Sequence, residues 1–235
     1  MNKVATMEAA MEKVFDGCTI LMGGFGVCGI PENLVRALVK KGTKNLTIVS
    51  NNAGVEQAGI GLLINNGQVR KMISSYIGEN KALEQKVISK EIEVELNPQG
   101  TLAERVRAGG AGIPAFFTPT GVGTPIAEGK EVREFNGRQY LMERAIRGDV
   151  AFVKGFKADH HGNLIYRMTA RNFNPVMATA ADFVIAEVEE IVEPGQLNAE
   201  QVVTPSVFVD MVILGEHYEK RIEKRVYRQK SGAGV

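Results

Sequence analysis

The apolar run Thr19-Ile20-Leu21-Met22 stops at Gly23-Gly24-Phe25-Gly26-Val27-Cys28-Gly29, and Ile30-Pro31-Glu32-Asn33-Leu34 then opens a helical pattern. A strand, a bare loop and a helix start follow one another, the opening of an α/β unit. Glycine accepts positive φ and, lacking a Cβ, lets a ligand approach the main chain. Proline suits the first helical turn, where its missing N–H breaks no helical hydrogen bond. The helix start behind the loop offers unpaired N–H groups and partial positive charge to a phosphate, a carboxylate or an oxyanion. A tight turn with no ligand would use the same glycines. The spacing GGFGxxG, with no acidic residue closing the next apolar run at 46–50, departs from the dinucleotide fingerprint, and no Gly-Lys-Ser or Gly-Lys-Thr follows to make a phosphate loop.

Periodicity carries the alternation through the chain. Val4, Met7, Met11, Val14 and Phe15 predict a helix over 3–15, and Leu34, Val35, Leu38 and Val39 predict one that stops at Gly42. Buried strands are predicted at 46–50, 72–76, 150–156 and 183–188, with a last apolar run at 207–213; helices are predicted at 81–89, 102–108 and 176–181. At 92–96 apolar residues alternate with Glu91, Glu93 and Glu95, which places that strand near a sheet edge or a subunit surface. Asn136-Gly137 between two short runs is the centre of a type I′ hairpin. The glycine-rich, uncharged stretch 109–125, with Phe116 and Phe117 at its middle, reads as a long loop that lines a pocket or an interface. These elements make one α/β domain over 1–217, an open, mostly parallel sheet with helices on both faces, followed by a charged tail over 218–235 that is solvated or meets a partner subunit.

At 235 residues the chain is long enough to bury roughly 70% of its unfolded surface in one core. Lys plus Arg number 28 and Asp plus Glu 27, so no overall field draws in nucleic acid or a membrane surface, and an anionic ligand needs a local site. Two cysteines, Cys18 and Cys28, are too few for a disulfide framework and fit a reducing, cytoplasmic setting. No run reaches the ~18 apolar residues of a membrane span. Cys28 has no histidine nearby in sequence to activate it. Ser50-Asn51-Asn52 ends a predicted strand, where two carboxamides can face a substrate or merely close an Asx turn.

The run Asp16-Gly17, two residues, Ile20-Leu21-Met22, Gly23-Gly24-Phe25, three residues, Gly29, one residue, Pro31 resembles the signature of the family I coenzyme A transferases, on their A (alpha) subunit. The likeness extends over about residues 3–224. It includes 49–55, Ser75-Tyr76-Ile77-Gly78-Glu79-Asn80, Pro98-Gln99-Gly100-Thr101, 107–116 and Thr169-Ala170-Arg171-Asn172-Phe173-Asn174-Pro175.

The resemblance implies a fold shared with ribose-5-phosphate isomerase-like proteins and transfer of CoA from a donor thioester to an acceptor carboxylate. Its substrates would be succinyl-CoA with acetoacetate or a related 3-oxoacid, or an acetate or butyrate pair with acetoacetate. It implies no resident cofactor or metal; the CoA thioester is a substrate. The glutamate nucleophile is supplied by a B subunit in an A2B2 assembly, because Gly78-Glu79-Asn80 lacks the Glu-Asn-Gly context of that residue. On this chain the resemblance marks Gly24, Phe25, Gly26, Val27, Cys28, Gly29 and Ile30 as the CoA-associated loop and Gln99 as an oxyanion donor. Asn51, Asn52, Gly110 and Phe116 would shape the acid site. Two other readings stand beside it on the residues alone: a sugar-phosphate isomerase acting by itself, and a CoA-binding module without turnover.

Overall fold

The computed structural model describes residues 2–221. The first half runs α1 (Met7–Glu12), β1 (Thr19–Met22), α2 (Glu32–Lys41), β2 (Leu46–Val49), α3 (Ile60–Asn65), β3 (Val69–Ser74), α4 (Lys81–Ile88) and β4 (Glu93–Leu96). Then come α5 (Gln99–Gly110), β5 (Ala115–Thr118), β6 (Val132–Phe135), β7 (Arg138–Arg144) and β8 (Gly148–Lys154). The chain continues with β9 (Lys157–Asp159), β10 (Leu164–Ile165), α6 (Asn174–Thr179), β11 (Ala181–Val188), β12 (Glu190–Val192) and β13 (Met211–Leu214).

Seven strands form one sheet in the order β13-β11-β8-β1-β2-β3-β4, every neighbouring pair parallel. Both faces of such a sheet are covered, which is why its strands read as continuous apolar runs. Ile20, Ile48, Val150 and Phe152 bury one face against α1 to α4, while Leu21, Val49, Ala151 and Val153 bury the other against α5 and α6. The chain builds outward from β1 to β4, then crosses back to β8 and proceeds the other way. The order of strands therefore reverses between β1 and β8, and in open α/β sheets ligands bind outside the carboxyl ends of the strands at such a switch point. The glycine loop leaves β1 there, beside Lys154 at the end of β8.

The α/β class and the parallel sheet agree with the sequence reading, and β4 is the sheet edge. Asn136 and Gly137 take φ of 52° and 76° in the β6–β7 turn, and Gly42 ends α2 with φ 76°. Several expectations are corrected. The first helix begins at Met7, not residue 3, because the Thr6 side chain caps it by accepting from Ala9 N. Ahead of that cap Val4 is extended and bridges Val212 beside β13. The stretch 109–125 is not a structureless loop: its first glycines finish α5, and β5 pairs antiparallel with β7. The third strand starts at Val69, and the short helix α3, absent from the periodicity reading, precedes it. The run 207–213 is broken, a 3-10 turn over Ser206–Phe208 preceding β13.

Part of the predicted tail is held in place. Both oxygens of the Glu32 carboxylate accept backbone N–H groups, from Glu219 at 2.9 Å and Lys220 at 3.0 Å. Residues 222–235 of the tail lie outside the described residues. Among the described residues no helix is long and apolar enough to cross a membrane.

Candidate active site around the glycine loop

The loop after β1 is a tight, internally bonded turn. Gly23 N donates to Phe152 O at 2.9 Å, prolonging the β1–β8 pairing, and Phe25 and Cys28 exchange backbone hydrogen bonds at 2.9 and 3.0 Å. Gly24 has φ 116°, and a Cβ there would lie 2.7 Å from Ile30 Cγ1. Gly29 has φ 69°, and its Cβ would lie 2.4 Å from Ala170 O. These two glycines therefore serve the loop's own packing as well as its openness.

Asn174, fully buried at the start of α6, fixes the loop from below. Its Nδ2 donates to Gly29 O and Ala170 O, each at 2.9 Å, and its Oδ1 accepts from Lys154 N at 2.7 Å. One carboxamide thus ties together the glycine loop, the end of β8 and the turn before α6. The sequence reading placed a helix start here and assigned Asn174 no role; the signal available was an Asn-Pro pair at that start.

On the other side, Asn51 joins the loop to Gln99. Asn51 Oδ1 accepts from Gly26 N at 3.3 Å, and Asn51 Nδ2 donates to Gln99 Oε1 at 2.9 Å. The Ser75 hydroxyl contacts the same Gln99 oxygen and donates to Asn51 O at 2.8 Å. Gln99 is the first residue of α5 and is exposed. With its oxygen bound on both sides, its amide nitrogen is the end presented outward.

Asn52 is directed elsewhere. Its Oδ1 accepts from Gly54 N at 3.0 Å, an Asx turn that holds its own backbone. Gly110 closes α5, where a Cβ would lie 2.2 Å from Thr179 Oγ1, so it is a contact glycine between α5 and α6. Eleven helical rises of ~1.5 Å put it roughly 16 Å from Gln99. Phe116 lies in β5 of the small antiparallel sheet, paired with Glu143. The structure therefore brings Gly26, Asn51 and Gln99 together, and does not bring Gly110 into that group.

The helix start behind the loop already holds an anion. Glu187, fully buried on β11, accepts from Asn33 Nδ2 at 3.0 Å and from Leu34 N at 2.8 Å. The expectation of an open anion site at the α2 N-terminus is thus corrected, because the fold supplies its own carboxylate. Burial raises the Glu187 pKa, partly offset by those hydrogen bonds. Burial also lowers the Lys154 pKa, against the pull of Glu189. Lys154 Nζ contacts Glu189 at 2.9 Å and lies 4.4 Å from the Tyr218 ring centre.

A cavity of about 580 Å³ opens beside the loop, lined by Phe25, Val27, Cys28 and Gly29 together with Lys154, Arg167 and Lys220. Cys28 is exposed, with the Thr169 hydroxyl 3.6 Å from its sulfur, a neighbour unable to act as its base. Gly78-Glu79-Asn80 is a helix cap: Asn80 Oδ1 accepts from Leu83 N at 3.0 Å and starts α4. Among the described residues no group of three or more His, Cys, Asp or Glu could hold a metal ion.

The chain is 57% identical over 235 residues to the A subunit of a probable succinyl-CoA:3-ketoacid coenzyme A transferase of Bacillus subtilis, covering 100% of this chain and 99% of that protein. It is 55% identical to the A subunit of the succinyl-CoA:3-ketoacid coenzyme A transferase of Helicobacter pylori J99, over 97% of this chain and 99% of that one. The human mitochondrial succinyl-CoA:3-ketoacid coenzyme A transferase 2 is 52% identical over 91% of this chain, which matches only 45% of its length. Among solved structures, glutaconate coenzyme A-transferase from Acidaminococcus fermentans superposes with TM-score 0.78 at 19% identity, over 90% of this chain and 75% of that one, a likeness of fold. The family model for coenzyme A transferase matches residues 4–215, nearly the whole described chain, and the chain belongs to that family.

Proposed function

We propose that the chain is the A subunit of a 3-oxoacid CoA transferase that moves CoA from succinyl-CoA to acetoacetate or a related 3-oxoacid. The observation that carries this reading is the Gly26–Asn51–Gln99 link, which fixes a carboxamide beside the glycine loop with its oxygen held and its N–H free. Relatives at 57% and 55% identity are named as A subunits, which supports the existence of a second chain in the enzyme. That partner supplies the glutamate nucleophile, since Gly78-Glu79-Asn80 is followed by Lys81 and lacks the Glu-Asn-Gly context of that residue. The thiols of Cys18 and Cys28 are both unpaired, which agrees with a reducing, cytoplasmic setting.

In this scheme the partner's carboxylate attacks the thioester carbonyl of succinyl-CoA. The C–S bond breaks and leaves a mixed acyl-glutamyl anhydride and the CoA thiolate. The thiolate then attacks the glutamyl carbonyl, giving a glutamyl-CoA thioester and free succinate; the same steps in reverse load the 3-oxoacid. Each addition places negative charge on a carbonyl oxygen. Gln99 Nε2–H is the donor for that oxygen, and Asn51 is the residue that aims it. The edge strand β4 is the proposed contact with the partner in an A2B2 assembly.

A sugar-phosphate isomerase working alone has less support, because Glu187 stands where a phosphate would sit at α2. The test is acetoacetyl-CoA formation from succinyl-CoA and acetoacetate by the purified chain, alone and with a B subunit. Activity in the mixture only is the expected result. Activity of the chain alone would place the nucleophile here. Silence of the mixture with these acids, and turnover with acetyl-CoA or butyryl-CoA, would move the assignment to the acetate or butyrate pair.

A further inference from the structure

We infer, on the CoA-transferase reading above, that Arg105 is a positioning residue for the transfer reaction: its guanidinium fastens the start of α5 and so holds Gln99 where the thioester oxygen develops its charge.

Helix α5 begins without a cap of its own. Pro98 stands at the cap position and offers no side-chain oxygen to the first helical N–H groups. The Gln99 carboxamide is held at its oxygen by Asn51 and Ser75, but that aims its N–H only if the backbone beneath is held as well. Asn97 supplies that hold. It is 3% exposed; its N–H donates to Ser74 O at 2.8 Å and its Nδ2 to Glu95 O at 3.3 Å, so the turn from β4 into α5 is tied to the end of β3. Its remaining polar side-chain atom, Oδ1, accepts from Arg105 Nη1 at 2.5 Å.

Arg105 reaches that atom from six residues beyond Gln99, about 9 Å of helical rise. Side chains on a helix lean toward its N-terminus, so a long one at this position points back at the helix start. The strand leaving the small sheet anchors it. Arg105 O accepts from Ile146 N at 2.8 Å, and Arg105 Nε donates to Arg144 O at 2.7 Å. Nη1 also donates to Glu95 Oε1 at 2.6 Å. One guanidinium thus joins β4, the turn before Gln99 and the end of β7.

Charge alone does not require an arginine here. Glu95 has Lys71 Nζ at 3.1 Å and Glu143 has Lys130 Nζ at 2.6 Å, so each carboxylate beside Arg105 meets a second cation. What the planar fork adds is a pair of bonds, from two different nitrogens in fixed directions, to the neutral oxygens Asn97 Oδ1 and Arg144 O. The single point of a lysine ammonium does not reproduce them. Arg107 is the contrast, an exposed side chain that pairs with Glu104 on the same helix.

The test is kcat and KM for Arg105→Lys, Asn97→Ala and Arg107→Ala at saturating B subunit, each alone and in the Gln99→Ala background. Arg105→Lys and Asn97→Ala should lower kcat roughly tenfold, since misplacing a catalytic group by ~1 Å costs up to ~100-fold, with both KM values within twofold of wild type. Arg107→Ala should match wild type. In the Gln99→Ala background neither Arg105→Lys nor Asn97→Ala should lower kcat by a further twofold, because a residue that acts through Gln99 then has nothing left to position. Damage to the fold would carry into that background undiminished. Hydrogen exchange over residues 94–102 gives a readout independent of turnover: it should quicken in Arg105→Lys and Asn97→Ala and stay unchanged in Arg107→Ala. A wild-type kcat in Arg105→Lys, losses that multiply with Gln99→Ala, or unchanged exchange over 94–102 would each overturn the inference. Gln99→Ala turning over at the wild-type rate, with exchange still quickened by Arg105→Lys, would instead refute the oxyanion role of Gln99 in the proposed reaction and leave Arg105 as the fastening of the helix start.

Discussion

The carboxylate of Glu187 accepts the backbone N–H of Leu34 at 2.8 Å, across 153 residues of sequence. A buried side chain from the end of β11 therefore neutralises the first turn of α2, immediately after the glycine loop. The loop and its helix resemble a phosphate cradle, yet the anion they hold is internal. A phosphate approaching this loop would therefore have to find its partners among side chains and not at the helix start.

It also predicts a pH dependence. Burial raises the Glu187 pKa above its ordinary 4.5, so the folded state holds the proton more tightly than the unfolded state does. This group's contribution is greatest below pH ~4.5 and is lost as pH rises from there through the raised value. Glu187→Gln removes the titration while keeping one acceptor for Asn33 Nδ2 or Leu34 N. Urea unfolding of both proteins at pH 5 and pH 7.5 should show the variant gaining on wild type as pH rises; a constant or opposite difference refutes the assignment. Glu187→Ala leaves two donors without their acceptor and should cost at least about 2 kcal/mol.

Gln99→Ala removes the outward N–H without disturbing the loop, because the glutamine is exposed and opens its helix. With the B subunit present, kcat should fall roughly a hundredfold, the order seen when one oxyanion donor is lost. The KM for both substrates should stay within a fewfold. A variant that turns over at the wild-type rate would remove Gln99 from the mechanism.

Asn51 is the positioning residue for that donor. Its Nδ2 bonds Gln99 Oε1 at 2.9 Å; an aspartate there offers only acceptors, so Gln99 must turn its own N–H inward and withdraw it from the substrate. Asn51→Asp should therefore approach the kcat loss of Gln99→Ala, and the double variant should be hardly worse than either single one. Losses that multiply in the double variant would mean the two carboxamides act separately.

Legibility in the sequence followed the range of the interaction. Thr19–Met22, Leu46–Val49 and Gly148–Lys154 read as strands because a strand buried on both faces is apolar throughout. The Asn136-Gly137 turn and the Gly42 stop were legible because positive φ selects those residues locally. Strand β5 was not, since its partner β7 lies more than twenty residues away and its flanks are glycines and prolines. Gly110 and Phe116 were read as pocket walls because a glycine-rich, uncharged stretch is ambiguous between packing and binding; in the fold Gly110 packs against Thr179 and Phe116 pairs with Glu143 in the small sheet. For Asn174 the Asn-Pro pair marks a helix start and nothing of its distant partners, and Glu187 carries no local signal. A buried polar residue within an apolar run has the same letters as an exposed one until its distant partners are placed.

Glycine has two separable uses in this fold, close packing and positive φ. A Cβ on Gly23 would lie 1.8 Å from Asn174 Oδ1 and 2.6 Å from its Cγ, and φ is not the obstacle there. Gly23→Ala must therefore displace Asn174, breaking its bonds to Gly29 O, Ala170 O and Lys154 N together. Overpacking and three lost buried hydrogen bonds should cost about 3 kcal/mol or more and abolish transfer. Gly137→Ala is the contrast: nothing lies within 4 Å of its Cβ, and only its φ of 76° is at stake. That change should cost about 1–2 kcal/mol and leave kcat unaltered. Urea midpoints and transfer rates of the two variants decide the matter, because equal losses in both would mean that the Asn174 anchor contributes nothing beyond backbone strain.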